Sequence, residues 1–248
     1  MLKAWLRFFR VVNLPTVPGD VLVGAAVVIA SVPTGVVTGI LEGKLVRPVD
    51  SLTMVVWAAL ASVFAYLFGL ALNDVLGAKT DKGRPIPEGL ISLRSAKIAG
   101  CVCLFVVPVI GFVAKLPHYW WGWCGLLVGM IILYNWTKWW WVMGLCRACN
   151  VLCGAAVLWP RWGTYDNFRS FAVAAFWWLY ISLVTLYSEG EETDPAKKRR
   201  VGFLIGAIVY LQLIALLIFR VNPLLLTGAA LLIVLRLVKR FLPEVSAS

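Results

Sequence analysis

Residues 52–74 read LTMVVWAALASVFAYLFGLALND, and the first charged side chain of this stretch is that of Asp74. A helix needs about 20 mostly apolar residues to cross the hydrocarbon core of a bilayer, so the stretch predicts a membrane span. The rest of the chain has the same character, because 61% of its 248 residues are hydrophobic and only 14% are charged. Soluble domains carry about 25% charged residues. The sequence therefore indicates an all-α, multi-pass integral membrane protein.

Eight segments qualify as candidate spans, and no soluble domain separates them, so we predict one domain over residues 1–248 that forms a polytopic helical bundle. The spans are residues 15–40, 52–74, 94–115, 117–137, 139–159, 168–189, 200–219 and 222–241. Residues 1–14 are basic and amphipathic, which is typical of a helix that lies in the membrane interface.

The net charge of +11 has a topological explanation. With both termini in the cytoplasm, most Lys and Arg residues fall on the cytoplasmic side, as the positive-inside rule requires. We therefore attribute the charge to orientation and to contact with anionic membrane lipid, not to nucleic-acid binding. The sequence leaves the oligomeric state open.

Six cysteines lie in or beside the spans, and Cys146 and Cys149 have the spacing C-x-x-C. No second pair stands at zinc-binding spacing. We therefore interpret the cysteines as small buried apolar side chains.

The second span ends in a cluster of polar side chains within residues 72–92, LNDVLGAKTDKGRPIPEGLIS. On a helix Asn73, Gly77 and Asp81 share one face, and Asp74 lies near Asp81. Such oxygen ligands suit Mg²⁺, which usually shares its coordination with phosphate. Basic residues of the stretch add positive charge for the same anion; they are Lys79, Lys82 and Arg84. A solvated helix end followed by an ordinary loop explains the cluster equally well.

A second acidic cluster follows the sixth span, in residues 186–200, LYSEGEETDPAKKRR. Glu189 and Glu192 are one helical turn apart, and Tyr187 shares a face with Asp194. This cluster is predicted to lie on the same side as Asp74, so the two could hold divalent cations between them. The alternative is a loop whose acidic half neutralises its basic half.

Polar side chains also lie within the membrane, in residues 134–155, YNWTKWWWVMGLCRACNVLCGA. Asn135 and Lys138 fall in a short turn, and Arg147 and Asn150 lie one helical turn apart. A buried arginine needs a partner, either a carboxylate on another helix or a bound anion.

Few acids lie at mid-span depth, so the sequence favours the anion as the partner of Arg147. Asp20, at the entry to the first span, is as well explained by an interfacial position without a further role.

These residues resemble the UbiA superfamily of intramembrane prenyltransferases. The family's first signature, N-D-x-x-D-x-x-x-D followed by R-P-[IL]-P-x-G-x-[IL]-S, is matched by Asn73, Asp74 and Asp81 and by RPIPEGLIS at residues 84–92. The Y-N-x-x-K turn, and the pattern R-x-x-N-x-x-x-G that begins at Arg147, are also similar to the family.

The resemblance implies spanning helices around a central cavity, with a site at the cytoplasmic face where Mg²⁺ and an isoprenyl diphosphate bind. The implied diphosphate-binding residues are Asn73, Lys138, Arg147, Asn150, Arg84 and Tyr187. The implied metal ligands are Asn73, Asp74, Asp81, Glu189, Glu192 and Asp194. Asp74, Asp81, Lys138 and Arg147 would be the catalytic residues. Gly77 replaces one aspartate of the signature, and the family usually has nine spans.

The resulting hypothesis is transfer of a prenyl group to a lipophilic or aromatic acceptor. Two alternatives stay open: a UbiA-type terpene cyclase that acts on the isoprenyl diphosphate alone, and a non-catalytic lipid-binding membrane protein with a degenerate site. Trp177, Trp178 and Tyr180 are candidates for the cavity wall, although packing is the more common role of buried aromatic residues.

Overall fold

The computed structural model describes residues 1–31, 48–81, 83–162, 167–190, 194–219 and 230. Within these ranges the chain forms eight α-helices and no strand. They are α1 (Leu2–Phe8), α2 (Thr16–Ala30), α3 (Pro48–Leu76), α4 (Leu93–Val113), α5 (His118–Thr137), α6 (Trp140–Trp162), α7 (Asn167–Ser188) and α8 (Pro195–Ile218). A short 3₁₀ turn, Val11–Asn13, joins α1 to α2. The predicted all-α helical membrane bundle is confirmed.

Seven of the eight predicted spans coincide with helices over their described residues, and of the eighth, residues 222–241, only residue 230 is described. Five described helices are long and apolar enough to cross a membrane: α3, α4, α6, α7 and α8. At 15 residues, α2 is shorter. The outer face of α4 is apolar and exposed, as a lipid-facing surface must be; it includes Ile98, Val102, Phe105, Val109 and Phe112. The chain is an integral membrane protein.

Helix α6 is the centre of the bundle, since 78% of its apolar window is buried, against 28–44% for the other four candidate spans. It packs against α2, α5 and α7. The crossing with α2 is unusually close, because a Cβ added to Gly24 would overlap the carbonyl oxygen of Val151, and one added to Gly154 would overlap that of Val21. Small residues at a helix crossing allow this approach in membranes. The crossing brings the polar residues of α2 beside those of α6.

The helix ends are set by local sequence. Ser92 caps α4 by accepting a hydrogen bond from the backbone N–H of Ser95 at 3.0 Å. Asp194 caps α8 through the N–H groups of Ala196 (2.8 Å) and Lys197 (3.2 Å). Such caps satisfy backbone donors that the first helical turn leaves unpaired.

Candidate functional site: a cavity with a cationic mouth

Helix α3 ends beside a cluster of charged groups that we call the mouth: Asp74, Asp81, Arg10, Arg84 and Lys138. Asp74 is buried, and its Oδ1 accepts hydrogen bonds from Arg84 Nη1 at 2.5 Å and from Arg10 Nη2 at 3.3 Å. Arg84 also reaches Asp81, with 3.2 Å between Nε and Oδ2. One guanidinium therefore joins both carboxylates of the first motif.

Gly77 fits this arrangement for a steric reason. A Cβ at this position would overlap the Asp81 carboxylate, which folds back over the first turn after α3. Backbone hydrogen bonds continue that turn, since the N–H of Asp81 donates to the Gly77 carbonyl at 2.9 Å. The Asp81 side chain thus occupies the space in which an aspartate at residue 77 would begin.

Lys138 approaches the mouth from the turn between α5 and α6. The residue adopts a left-handed conformation (φ 57°), which ends α5 and turns the chain sharply. Its Nζ donates to Asn73 Oδ1, and to Asn135 Oδ1 at 3.3 Å, and lies 5.5 Å from the ring centroid of Tyr134. Burial lowers the pKa of Lys138, and the nearby Arg84 guanidinium lowers this pKa further.

The RPIPEG loop is held in place by the first helix. Arg7 donates to both carboxylate oxygens of Glu88, at 2.9 and 3.1 Å, and to the carbonyl of Gly83 at 2.5 Å. The turn after α1 then directs Arg10 to Asp74. Helix α1 also buries Phe8 against α3 and the loop. The N-terminal segment is therefore part of the mouth.

Beneath the mouth lies a cavity of about 120 Å³ between α2, α3, α5 and α6. Its outer end is polar, with Arg10, Asn73 and Asn135. The middle is mainly apolar and aromatic, with Tyr66, Gly69, Leu70, Leu127, Ile131, Tyr134, Met143 and Cys146. The inner end is formed by Val17, Ser62, Arg147 and Asn150. A polar mouth therefore leads through an apolar passage to a second polar group.

Asp20 is the centre of that inner group and is fully buried. Arg147 Nε lies 3.0 Å from Asp20 Oδ2, as an ion pair without hydrogen-bond geometry, and Arg147 Nη2 donates to the Thr16 carbonyl at 2.9 Å. Trp177 Nε1 (2.9 Å) and Gln212 Nε2 (2.7 Å) both donate to Asp20 Oδ1. The buried carboxylate is thus paired and hydrogen-bonded from three helices.

Asn150 completes this network. Its Nδ2 donates to Asp20 Oδ2 at 3.1 Å and to the Val17 carbonyl at 2.9 Å, and its Oδ1 accepts from Ser62 Oγ. The prediction that a bound anion is the partner of Arg147 is wrong, because Asp20 on α2 supplies the carboxylate. Asp20 is fully buried in this network, so the interfacial position that the sequence left open for it is not observed.

The second acidic cluster lies apart from the cavity wall. Asp194 serves as the cap of α8, and the backbone carbonyl of Glu189 accepts a hydrogen bond from Lys197 Nζ at 2.5 Å. Tyr187 lines a shallow surface groove with Arg199, Arg200, Phe203 and Leu204. Glu192 is outside the described residues. In the described part of the chain, no three acidic, histidine or cysteine side chains are grouped as metal ligands.

The structure gathers most of the other predicted site residues around one cavity. Asn73, Asp74, Asp81, Arg84 and Lys138 form the mouth or its rim, and Arg147 and Asn150 lie at the inner end. Their predicted roles in binding and catalysis stay predictions.

Several residues of the site were not predicted from the sequence. Arg10, Tyr66 and Ser62 line the cavity, and Gln212 binds Asp20. The only signal in the sequence was a polar residue within an apolar segment, as for Ser62 and Gln212. Trp177 is buried in the Asp20 network, not in the cavity wall, while Trp178 donates to the Trp141 carbonyl at 3.1 Å.

The fold and site define a helical membrane protein with a charged mouth above an internal cavity. In sequence, no known family model and no curated protein matches the chain. In structure, the chain is similar to a solved structure described as a study of digeranylgeranylglyceryl phosphate synthase in membranes. The TM-score is 0.50 at 13% sequence identity, and the alignment covers 100% of this chain and 91% of that one. The likeness therefore concerns the fold along the whole chain.

Proposed function

We propose that this protein is an intramembrane prenyltransferase that ionises an isoprenyl diphosphate and transfers the prenyl group to a lipophilic or aromatic acceptor. The observation that carries the proposal is the cationic mouth above an apolar cavity. The RPIPEG loop at this mouth resembles a prenyltransferase signature, and the fold is similar to that of a digeranylgeranylglyceryl phosphate synthase. A diphosphate head with an apolar tail matches that combination of surfaces.

In this proposal the mouth binds the diphosphate. Three cations, Arg10, Arg84 and Lys138, face the two carboxylates Asp74 and Asp81, which leaves the mouth with excess positive charge. The three cationic side chains are partly exposed or half-buried, so they are able to exchange their present partners for phosphate oxygens. Charge-assisted hydrogen bonds from guanidinium and ammonium groups to phosphate are stronger than neutral ones.

The oxygen ligands at the mouth fit Mg²⁺ that is shared with a diphosphate. Asn73, Asp74 and Asp81 offer two carboxylates and one amide, which is a partial set of hard ligands of the kind Mg²⁺ completes with phosphate and water. These three residues would hold the ion, and Glu189, Glu192 and Asp194 stay predicted ligands of a second site. When bound, Mg²⁺ would supply further neutralisation of the leaving diphosphate.

The chain's own residues would support the reaction in two ways. When the carbon–oxygen bond of the donor breaks, its electron pair stays on the diphosphate. The negative charge that develops there is stabilised by the preorganised cationic groups of Arg10, Arg84 and Lys138. The aromatic faces of Tyr66 and Tyr134 in the cavity are suited to stabilise the allylic cation. The apolar middle of the cavity would limit the access of water to this cation until a nucleophilic atom of the acceptor bonds to it and releases a proton.

We further propose that the mouth and both termini are cytoplasmic. Basic residues close to the mouth, such as Lys79, Arg94 and Lys97, satisfy the positive-inside rule in this orientation. The contact between Trp178 and Trp141 places the C-terminal half of α7 beside the start of α6, so the end of α7 is on the same side. Anionic lipid would then surround the mouth.

The test measures diphosphate release by purified protein in lipid, with farnesyl or geranylgeranyl diphosphate and Mg²⁺. Asp74→Ala should lower the rate by about 100-fold or more, because the carboxylate positions two arginines of the mouth and a metal. Cys149→Ala is the matched control, since Cys149 is buried in the core and absent from the cavity wall. Its rate should equal that of the parent.

The products separate the alternatives. A cyclic product formed without acceptor would overturn transfer in favour of a terpene cyclase. If no diphosphate is released with donors of any isoprenoid length, and Asp74→Ala changes nothing, the protein is a non-catalytic lipid-binding protein.

A further inference from the structure

The inner end of the cavity differs from the mouth in charge. Arg147 and Asp20 cancel each other, and the groups around them, Asn150, Ser62 and Gln212, are neutral. Arg147 lies two helical turns, about 10 Å, along α6 from its first residue, so the inner end is well separated from the turn that carries Lys138. The cavity therefore has a cationic outer end and a neutral polar inner end.

The inner end still has hydrogen-bonding capacity toward the cavity. Arg147 is 9% exposed and lines the cavity. Its Nε faces Asp20 and its Nη2 donates to Thr16, while among the described residues no acceptor is paired with Nη1. Ser62 Oγ and Asn150 Oδ1 each form one hydrogen bond and keep a lone pair for a further donor. The inner end thus offers a donor and acceptors side by side.

We propose that the inner end, formed by Ser62, Arg147 and Asn150, binds the neutral polar head group of the acceptor, a hydroxyl, and that Asp20 excludes anionic acceptors by neutralising Arg147. This inference rests on the proposed prenyl transfer and defines the acceptor class. A hydroxyl donates and accepts, so it suits both kinds of group. A carboxylate or phosphate accepts only, so it would oppose the oxygen lone pairs of Ser62 and Asn150 and the nearby charge of Asp20.

The arrangement also separates the two substrates. The diphosphate needs the excess positive charge of the mouth, whereas the inner end offers none. An acceptor with its head group at the inner end has its body in the apolar passage beside Tyr66 and Ile131, on the path to the mouth. Asp20 is a positioning residue here, since it acts through Arg147.

The test is a binding measurement that needs no turnover. The probes are para-dodecylphenol and para-dodecylbenzoate, which share one apolar body and differ in the charge of the head group at neutral pH. Affinity is measured by calorimetry on purified parent protein in detergent micelles, with each probe's partition into empty micelles subtracted. The parent should bind the phenol at least about tenfold more tightly, because the benzoate would bring a desolvated charge to a neutral site. A parent that prefers the benzoate overturns the proposal.

Two variants sharpen this result. Asp20→Asn keeps the shape of the carboxylate but leaves Arg147 charged, so the preference should reverse toward the benzoate by about tenfold. The double variant Asp20→Asn/Arg147→Gln is neutral again and should prefer the phenol. An unchanged preference in Asp20→Asn would contradict the role of Asp20. If Asp20→Asn does not fold, the preference of the parent still decides the proposal.

Failure of this inference is distinguishable from failure of the proposed function. The wrong head-group preference, with normal diphosphate release, would overturn only the acceptor assignment. Absent diphosphate release with a preference for the phenol would overturn prenyl transfer and leave a binding site for neutral amphiphiles.

Discussion

Asp74 and Asp20 both hold guanidinium groups, yet their surroundings differ. At the mouth, Asp74 is shared by Arg10 and Arg84, whose side chains are 28% and 30% exposed. At the inner end, Asp20 is fully buried and its partner Arg147 has an 11% exposed side chain. Arg10 and Arg84 are therefore more accessible to water than Arg147 is. The comparison indicates that charges at the mouth are free to change partners with a substrate, whereas the inner pair is fixed by the packing of the helices around it.

The largest expected effect on stability is at the buried ion pair of Asp20 and Arg147. Asp20→Ala should lower the free energy of unfolding by about 3–5 kcal/mol, because it leaves a buried guanidinium unpaired. Thermal unfolding of the purified protein in detergent measures the loss. Asp74→Ala is the matched variant at the mouth. Although Asp74 is itself buried, this variant should cost less than Asp20→Ala, since Arg10 and Arg84 reach water and Arg84 keeps Asp81. An equal or larger loss in Asp74→Ala would remove the distinction between the two regions.

A smaller effect concerns the charge of Lys138. Its pKa is lowered by burial, so the ammonium loses its proton below the pH at which an ordinary lysine does. We expect kcat/KM for the isoprenyl diphosphate to fall as pH rises through this lowered pKa, since kcat/KM reports the ionisation of the free protein. Lys138→Arg keeps its charge at all accessible pH values and should remove this fall. Parallel pH profiles for parent and variant would contradict the role of Lys138.

The lowered pKa of Lys138 also affects stability, but in the opposite direction to its effect on kcat/KM. Between the folded and unfolded pKa values of Lys138, the unfolded chain binds more protons. The contribution of this residue to the free energy of unfolding therefore increases as pH rises through that interval. Unfolding curves of parent and Lys138→Arg at two pH values within the interval separate this contribution from the effect on catalysis.

The smallest effect is expected at the outer surface of the mouth. Arg7 and Glu88 form an ion pair with two hydrogen bonds, but their side chains are 28% and 37% exposed. Glu88→Gln should therefore change the free energy of unfolding by less than about 1 kcal/mol. It should also increase hydrogen exchange in residues 84–90, since α1 holds that loop. Unchanged exchange would show that packing of Phe8, not the ion pair, holds the loop.

The sequence predicted the helices well because their signal is local. Long apolar segments have one stable form in a bilayer, the helix that satisfies its own backbone, and seven of the eight predicted spans are helices here. The loop after α3 also depends on local sequence, since Pro85 and Pro87 restrict the backbone at their own positions and Gly83 and Gly89 adopt positive φ. Most residues of the mouth were also predictable, since Asp74, Asp81, Arg84 and Lys138 belong to recognisable short patterns, whereas Arg10 does not.

The pairing of charges was not predictable in the same way. Arg147 and Asp20 are far apart in sequence, and their contact depends on the close crossing of α2 and α6 at Gly24 and Gly154. Nothing near Arg147 in the chain distinguishes a carboxylate partner from a bound anion. The sequence by itself determined a helical membrane protein with a charged motif at the end of α3, because hydropathy and turn chemistry act over a few residues. The tertiary structure determined that the inner end of the cavity is neutral, because charge cancellation depends on which helices pack side by side.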